Sequence, residues 1–323
     1  MVALTALIGR ISYIVIGSGG TVLNFFLAIA MIRDKVHVQN PCFLLLIAVV
    51  VADIELSCGL FLSGVINLLA DYRLAFSLGF TQLECLGIYF LFSMGAPFGQ
   101  LMTLMLAIER FLAVTFPMIY RDYSGRFNKV IVTVVSSFST LLAVASFLFP
   151  VTDKRFPLCG TVFAYHPSYA FFHYYVVRMT SSFSAAFLYG VVLIMVRRQA
   201  KIAASLQTTD TGTKQYDATR TVTRLMILFV LTTVTAYVLI LIENIPAVKN
   251  DRNTLNAMSL TVGTLLILNP FLNAFLLARN SIIRQSMRRT YPFVFGQHAD
   301  SMVIDSTAPN ANTGADAVVG RVG

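Results

Sequence analysis

The chain has 323 residues, of which 57% are hydrophobic and only 12% charged, and a mean hydropathy of +0.74; a soluble domain carries about 25% charged residues. That excludes a water-soluble globular protein as the reading of the whole chain and points to one membrane domain without a large soluble module. The net charge of +9 is not evidence for nucleic acid, because in a membrane protein the placement of Lys and Arg carries the information.

The first predicted span covers 9–32, with Arg10 as its only charge, at its start, and Asn24 inside it. A signal peptide is the alternative, but the apolar run is longer than such a core and lacks a clear small-x-small cleavage site. Span two covers 41–69, and Pro41 suits the first turn of a helix. Asp53 falls near its middle, where an isolated carboxylate costs roughly 2.5–3.5 kcal/mol. A polar network joining helices and an ion or switch site are both open readings there. Glu55 and Asn67 are further polar insertions, expected to face the bundle interior.

Span three covers 82–115. Between Cys85 and Arg110 its only formal charge is Glu109, and about 25 helical residues suffice for the roughly 30 Å of hydrocarbon. Phe116-Pro117-Met118-Ile119-Tyr120 follows, and the proline is expected to stop the helix. An adjacent carboxylate and guanidinium at a membrane edge suggest a switch; an anchor is the plainer reading.

Span four covers 129–149, with Ser136, Ser137 and Ser139 as small packing residues. Span five covers 169–197 and carries Arg178 in its outer half, where an arginine must pair, snorkel or face water. Arg178 is therefore the best single candidate for contacting an anionic or polar ligand group, with pairing to an acid such as Glu55 or Glu84 as the competing reading. Residues 199–219 read as a polar loop, span six covers 220–242 and span seven 254–277. Within span seven, Pro270 removes the hydrogen bond to the Leu266 carbonyl and kinks the helix. Asn269 is expected to bond either the freed backbone or Asp53.

In 280–293, Ile282, Ile283, Met287 and Tyr291 alternate with Arg284, Arg288 and Arg289 at helical spacing, as in an amphipathic helix lying on anionic lipid. The membrane domain is thus 1–293, and 294–323 reads as a disordered tail. With the N-terminus outside, the inner side takes Arg33, Lys35, Arg110, Arg121, Arg126, Lys129, Arg197, Arg198, Lys201 and most later basic residues. The outer side keeps Arg10, Arg73, Lys154, Arg155, Arg178, Lys249 and Arg252. The bias sets the N-terminus outside and the C-terminus in the cytoplasm.

Asn24, Asp53, Cys85, Glu109-Arg110-Phe111, Pro117-x-x-Tyr120, Cys159 and Asn269-Pro270 occur in an order and spacing that resemble the rhodopsin-like G-protein-coupled receptors, over about residues 10–293. Pro97-Phe98-Gly99 and the run from Ile108 to Pro117 are similar to the nematode-type serpentine chemoreceptors of class SX. The resemblance implies an all-α membrane protein, a seven-transmembrane helix bundle with an amphipathic eighth helix, in the plasma membrane. It implies a heterotrimeric G protein and a small-molecule or peptide ligand as partners, besides membrane lipids. Glu109 and Arg110 would pair at rest, and ligand binding would swing span six outward and expose Arg110, with Asn24, Asp53, Asn269 and Pro270 carrying the change.

Of four cysteines, Cys42 and Cys58 fall inside span two, which leaves Cys85 and Cys159 on one face. A disulfide is expected, closing a loop of about 75 residues and constraining the unfolded chain by about 4–5 kcal/mol; two free thiols are the alternative. The departures from the family pattern are equally specific. The chain has no Trp, span six lacks a Cys-Trp-x-Pro motif, and Asn273 stands where the family has a tyrosine. Gly99 replaces a serine that often helps hold a sodium ion, which counts against such an ion at Asp53; no other cofactor and no metal is expected.

Phe92 occupies the place of the aspartate of amine receptors, which speaks against a biogenic amine, and span seven has no lysine for a retinal Schiff base. The outer N-terminus is expected to be too short for a hormone-binding domain. Candidate ligand contacts are Phe92, Ser93, Tyr174, Tyr175, Arg178 and Tyr237, each of which can also be plain packing. His37, His166, His173 and His298 are scattered and no His-Glu-x-x-His exists, so no enzyme is expected. A ligand-gated seven-span channel and a non-signalling or obligate-partner receptor are the alternatives.

Overall fold

The structure is a computed structural model and describes residues 2–35, 42–72, 79–149, 155–156, 159, 164–205, 223–243 and 252–292. Pro41, the polar stretch 206–222 and the tail 294–323 lie outside the described residues.

Span one is Val2–Arg33 and span two Cys42–Asp71; a short helix, Gln82–Ile88, leads into span three at Phe90–Thr115. Span four is Pro117–Ala145, and span five joins Pro167–Phe171, a π-helical stretch Phe172–Met179 and Thr180–Ser205. Span six is described from Thr223, with a π turn at Val230–Val234 before Thr235–Glu243; span seven is Arg252–Ala278, followed by the amphipathic helix Ser281–Thr290. By length and composition spans one to six can cross a membrane on their own, whereas Thr264–Ala278 of span seven meets the same measure only together with Ser281–Thr290, from which it is bent by 85°. The fold is an all-α seven-transmembrane bundle. Its outward faces carry Phe25, Leu141 and Phe187, exposed as suits contact with lipid.

Pro117 does not lead into a loop. Span three ends at Thr115, Phe116 makes the corner, and Pro117 takes the first position of span four, where its missing N–H leaves no bond unmade. Span four therefore begins at Pro117 rather than at 129. At the other end, Gln82–Ile88 is set off from span three at Tyr89 by its own capping box: Glu84 N donates to Thr81 Oγ1 at 3.2 Å and Thr81 N to Glu84 Oε2 at 2.7 Å. These bonds from Thr81 hold the exposed Glu84 carboxyl below the usual carboxylate range. Span five also runs on to Ser205, past the boundary expected at 197.

Spans two and three meet backbone to backbone. A Cβ at Gly59 would lie 2.6 Å from Phe92 N, and one at Gly95 would lie 2.6 Å from Leu56 N. Two glycines, one on each helix, thus set the approach that positions span three against span two.

Candidate functional site

One end of the bundle is closed by a small polar lock. Cys85 and Cys159 are joined by a disulfide, with their Cα atoms 5.3 Å apart. Asn67, near the C-terminal end of span two, donates from Nδ2 to Cys159 O at 2.9 Å and accepts from Cys159 N at 2.9 Å. Phe80 and Phe156 exchange two backbone hydrogen bonds of 2.8 Å. One asparagine and one disulfide hold the same residue. Arg10 pairs with Asp71 at the same level.

Beneath this lock lies a cavity of about 800 Å³ bounded by spans one, two, three, five, six and seven, within the size range of small-ligand sites. Phe92, Tyr174, Tyr175, Arg178 and Tyr237 line it, together with Tyr13, Leu60 and Tyr165. Ser93 does not. Its hydroxyl donates to Tyr89 O at 2.8 Å and lies against the Tyr165 hydroxyl, so it supports a lining residue from behind.

Ser93 also shows what Pro97 does. A proline frees the carbonyl one turn earlier, here that of Ser93, and the His173 Nε2 of span five lies 3.4 Å from it. The kink in span three is thereby tied to the π-helical stretch of span five. That stretch carries Arg178, and wide turns of this kind re-aim side chains.

Arg178 is 2% exposed. Its Nε donates to Gln100 Oε1 at 3.1 Å, and Gln100 Nε2 donates to the Tyr237 hydroxyl at 2.7 Å. The guanidinium carbon lies 4.9 Å from the Tyr174 ring centre and 5.4 Å from that of Phe92, within cation–π range. Spans three, five and six thus meet in one chain of side chains. Neither acid expected as a partner of Arg178 pairs with it: Glu84 is used in the capping box, and the buried Glu55 Oε2 has no hydrogen-bond partner. Gln100 is the residue that sequence reasoning passed over; a lone amide in the apolar run of span three was the available signal.

The cavity floor is polar. Asn273 Nδ2 donates to Asp53 Oδ2 at 3.1 Å, and Thr232 Oγ1 donates to Asn269 Oδ1 at 2.9 Å. Asp53 is therefore bonded by Asn273, the residue that departs from the family pattern, and Asn269 reaches the π turn of span six instead. The two amides, one turn apart on either side of Pro270, thus meet different neighbours. Asn24 Nδ2 donates to Gly20 O at 2.9 Å and to Pro270 O at 3.2 Å, which joins span one to the kink.

Toward the C-terminal end of span three, Arg110 Nε donates to Glu109 Oε2 at 2.5 Å and Nη2 donates to Glu109 Oε1 at 3.0 Å. Both residues are buried. The Tyr120 hydroxyl donates to the same carboxylate, a contact that depends on Pro117 starting span four and so placing Tyr120 in its first turn. Nearby, the Tyr189 hydroxyl donates to Thr223 Oγ1 at 3.1 Å and ties span five to span six.

Residues 15–291 match the family model described as serpentine type 7TM GPCR chemoreceptor Srsx. No curated protein matches the chain.

Proposed function

We propose that this chain, which belongs to the serpentine seven-transmembrane chemoreceptor family Srsx, takes a chemosensory ligand into the cavity beneath the disulfide and signals to a heterotrimeric G protein. One observation carries the reading. Span three places Gln100 in the network that crosses the cavity and Arg110 in the charge cluster, about 15 Å apart at 1.5 Å per residue. A change at one end of a single packed helix is felt at the other.

In this reading the N-terminus is outside and residues 294–323 are a cytoplasmic tail, as the placement of Lys and Arg requires. At rest Glu109 and Tyr120 hold Arg110 against its own helix. A ligand that binds the open form more tightly shifts the population toward it, by no more than that difference in affinity. The π turn at Val230–Val234 supplies the bend that the missing proline of span six would have given. Asp53 is read as a link between spans two and seven and not as a sodium site, because Asn273 bonds it and Gly99 contributes no oxygen.

The test is G-protein activation in cells by a panel of volatile, small polar and peptide ligands, with wild type and Arg110→Ala compared at equal surface expression. The reading predicts a ligand response in the wild type that the variant loses. An unchanged response in the variant, or a current that needs no G protein, overturns it in favour of a channel.

A further inference from the structure

A buried cation in a membrane bundle needs a partner, since burying an unpaired charge is among the costliest arrangements a protein can hold. Arg178 has none of the opposite sign. Its Nε bonds a neutral amide, its flanks face aromatic rings, and Nη1 has no hydrogen-bond partner. Among the described residues lining the cavity Arg178 is the only base and Asp53 the only acid, and Asp53 is bonded by Asn273. No ion pair to Arg178 exists among the described residues.

From this unneutralised guanidinium in an aromatic cavity, and resting on the receptor reading above, we infer that the ligand is a small monoanion. It is a carboxylate on an apolar body, with its oxygens on Arg178. One guanidinium matches one carboxylate, and its fork of donors accepts it in two parallel bonds. A phosphate dianion would meet no second cation among the described lining residues. The rings of Phe92, Tyr174 and Tyr237 around the guanidinium and the flanking Leu60 and Ala96 suit an apolar or aromatic body. A carboxylate on Arg178 also competes with Gln100 for the guanidinium, and Gln100 is what joins Arg178 to Tyr237 of span six. Ligand charge is thereby read by the contact between spans three, five and six.

The experiment uses the full-length protein in lipid nanodiscs and follows its melting with phenylacetate, octanoate and palmitate. The first two acids arrive from water and the third from the bilayer. The methyl ester and alcohol of each, and phenethylamine, serve as controls. Binding to the folded state alone raises the melting temperature in a saturable way. At least one acid is expected to do so while its ester and alcohol and the amine do not, and Arg178→Gln is expected to weaken that acid by about 30-fold or more. Esters or the amine stabilising as well as the acids, or no acid stabilising at all, overturns the inference; this comparison within the wild type stands even where Arg178→Gln does not fold. An acid bound equally by Arg178→Gln overturns it too. Acids that bind without any G-protein response leave the anion site standing and defeat the receptor reading. G-protein activation by an amine or ester, with no acid binding, does the reverse.

Discussion

Asn67 shows how much one side chain carries beside the disulfide. Its amide bonds both the N–H and the C=O of the buried Cys159, so its replacement by Leu leaves the N–H without a partner, at about 1–3 kcal/mol, and the C=O with only the longer bond of 3.4 Å from the Tyr89 hydroxyl. Asn67→Leu is expected to lower the melting temperature of the purified protein with the disulfide intact on a non-reducing gel; an unchanged melt would mean that water or a neighbour takes over. The sequence marks Asn67 as a polar insertion expected to face inward, but its partner is set by where the disulfide draws the loop. The same limit applies at the cavity floor. Asn269 and Asn273 are the same residue type one turn apart, yet only Asn273 bonds Asp53 while Asn269 accepts from Thr232, a choice set by how spans two, six and seven pack. By contrast, Glu109 and Arg110 are neighbours in the chain, so their proximity was legible at once. Arg178 was legible as an anomaly, because an arginine inside an apolar run always needs an explanation, whereas its neutral partner Gln100 was not.

Helix packing and helix irregularity operate at the next scale. Gly95 lets span three approach span two so closely that a Cβ would also lie 2.9 Å from Ala52 O. Backbone atoms on both sides cannot step aside. Gly95→Leu is therefore expected to force the helices apart at a cost of about 1–3 kcal/mol or more. Surface expression should fall, along with the melting temperature of whatever protein folds; normal expression and melting would show that the helices can part without loss. Span existence was readable from apolar length, since a run that crosses a membrane has few alternatives. The ends were harder. Pro117 reads equally as a stop for one helix or the start of the next, and here it is the start, which is what brings Tyr120 to Glu109. The π turns at Phe172–Met179 and Val230–Val234 have no residue signature comparable to proline. They depend on the register of each helix against its neighbours, and the missing span-six motif gave no hint of them.

Across the whole molecule, one bundle holds a cavity with an unneutralised cation toward one end of span three and a clamped Arg110 at the other. Seven spans and their order were evident from hydropathy and marker residues; the cavity was not, because it arises from kinks and wide turns in several helices at once. In the proposed mechanism these two ends are coupled, and coupling between binding sites is reciprocal. The most direct measurement is the affinity of the best-activating ligand from the panel, in nanodiscs, with and without nucleotide-free G protein. The account predicts tighter binding with G protein, within the roughly 5–150-fold range typical of such coupling, and loss of that gain in Arg110→Ala. Equal affinity in the presence and absence of G protein would contradict it.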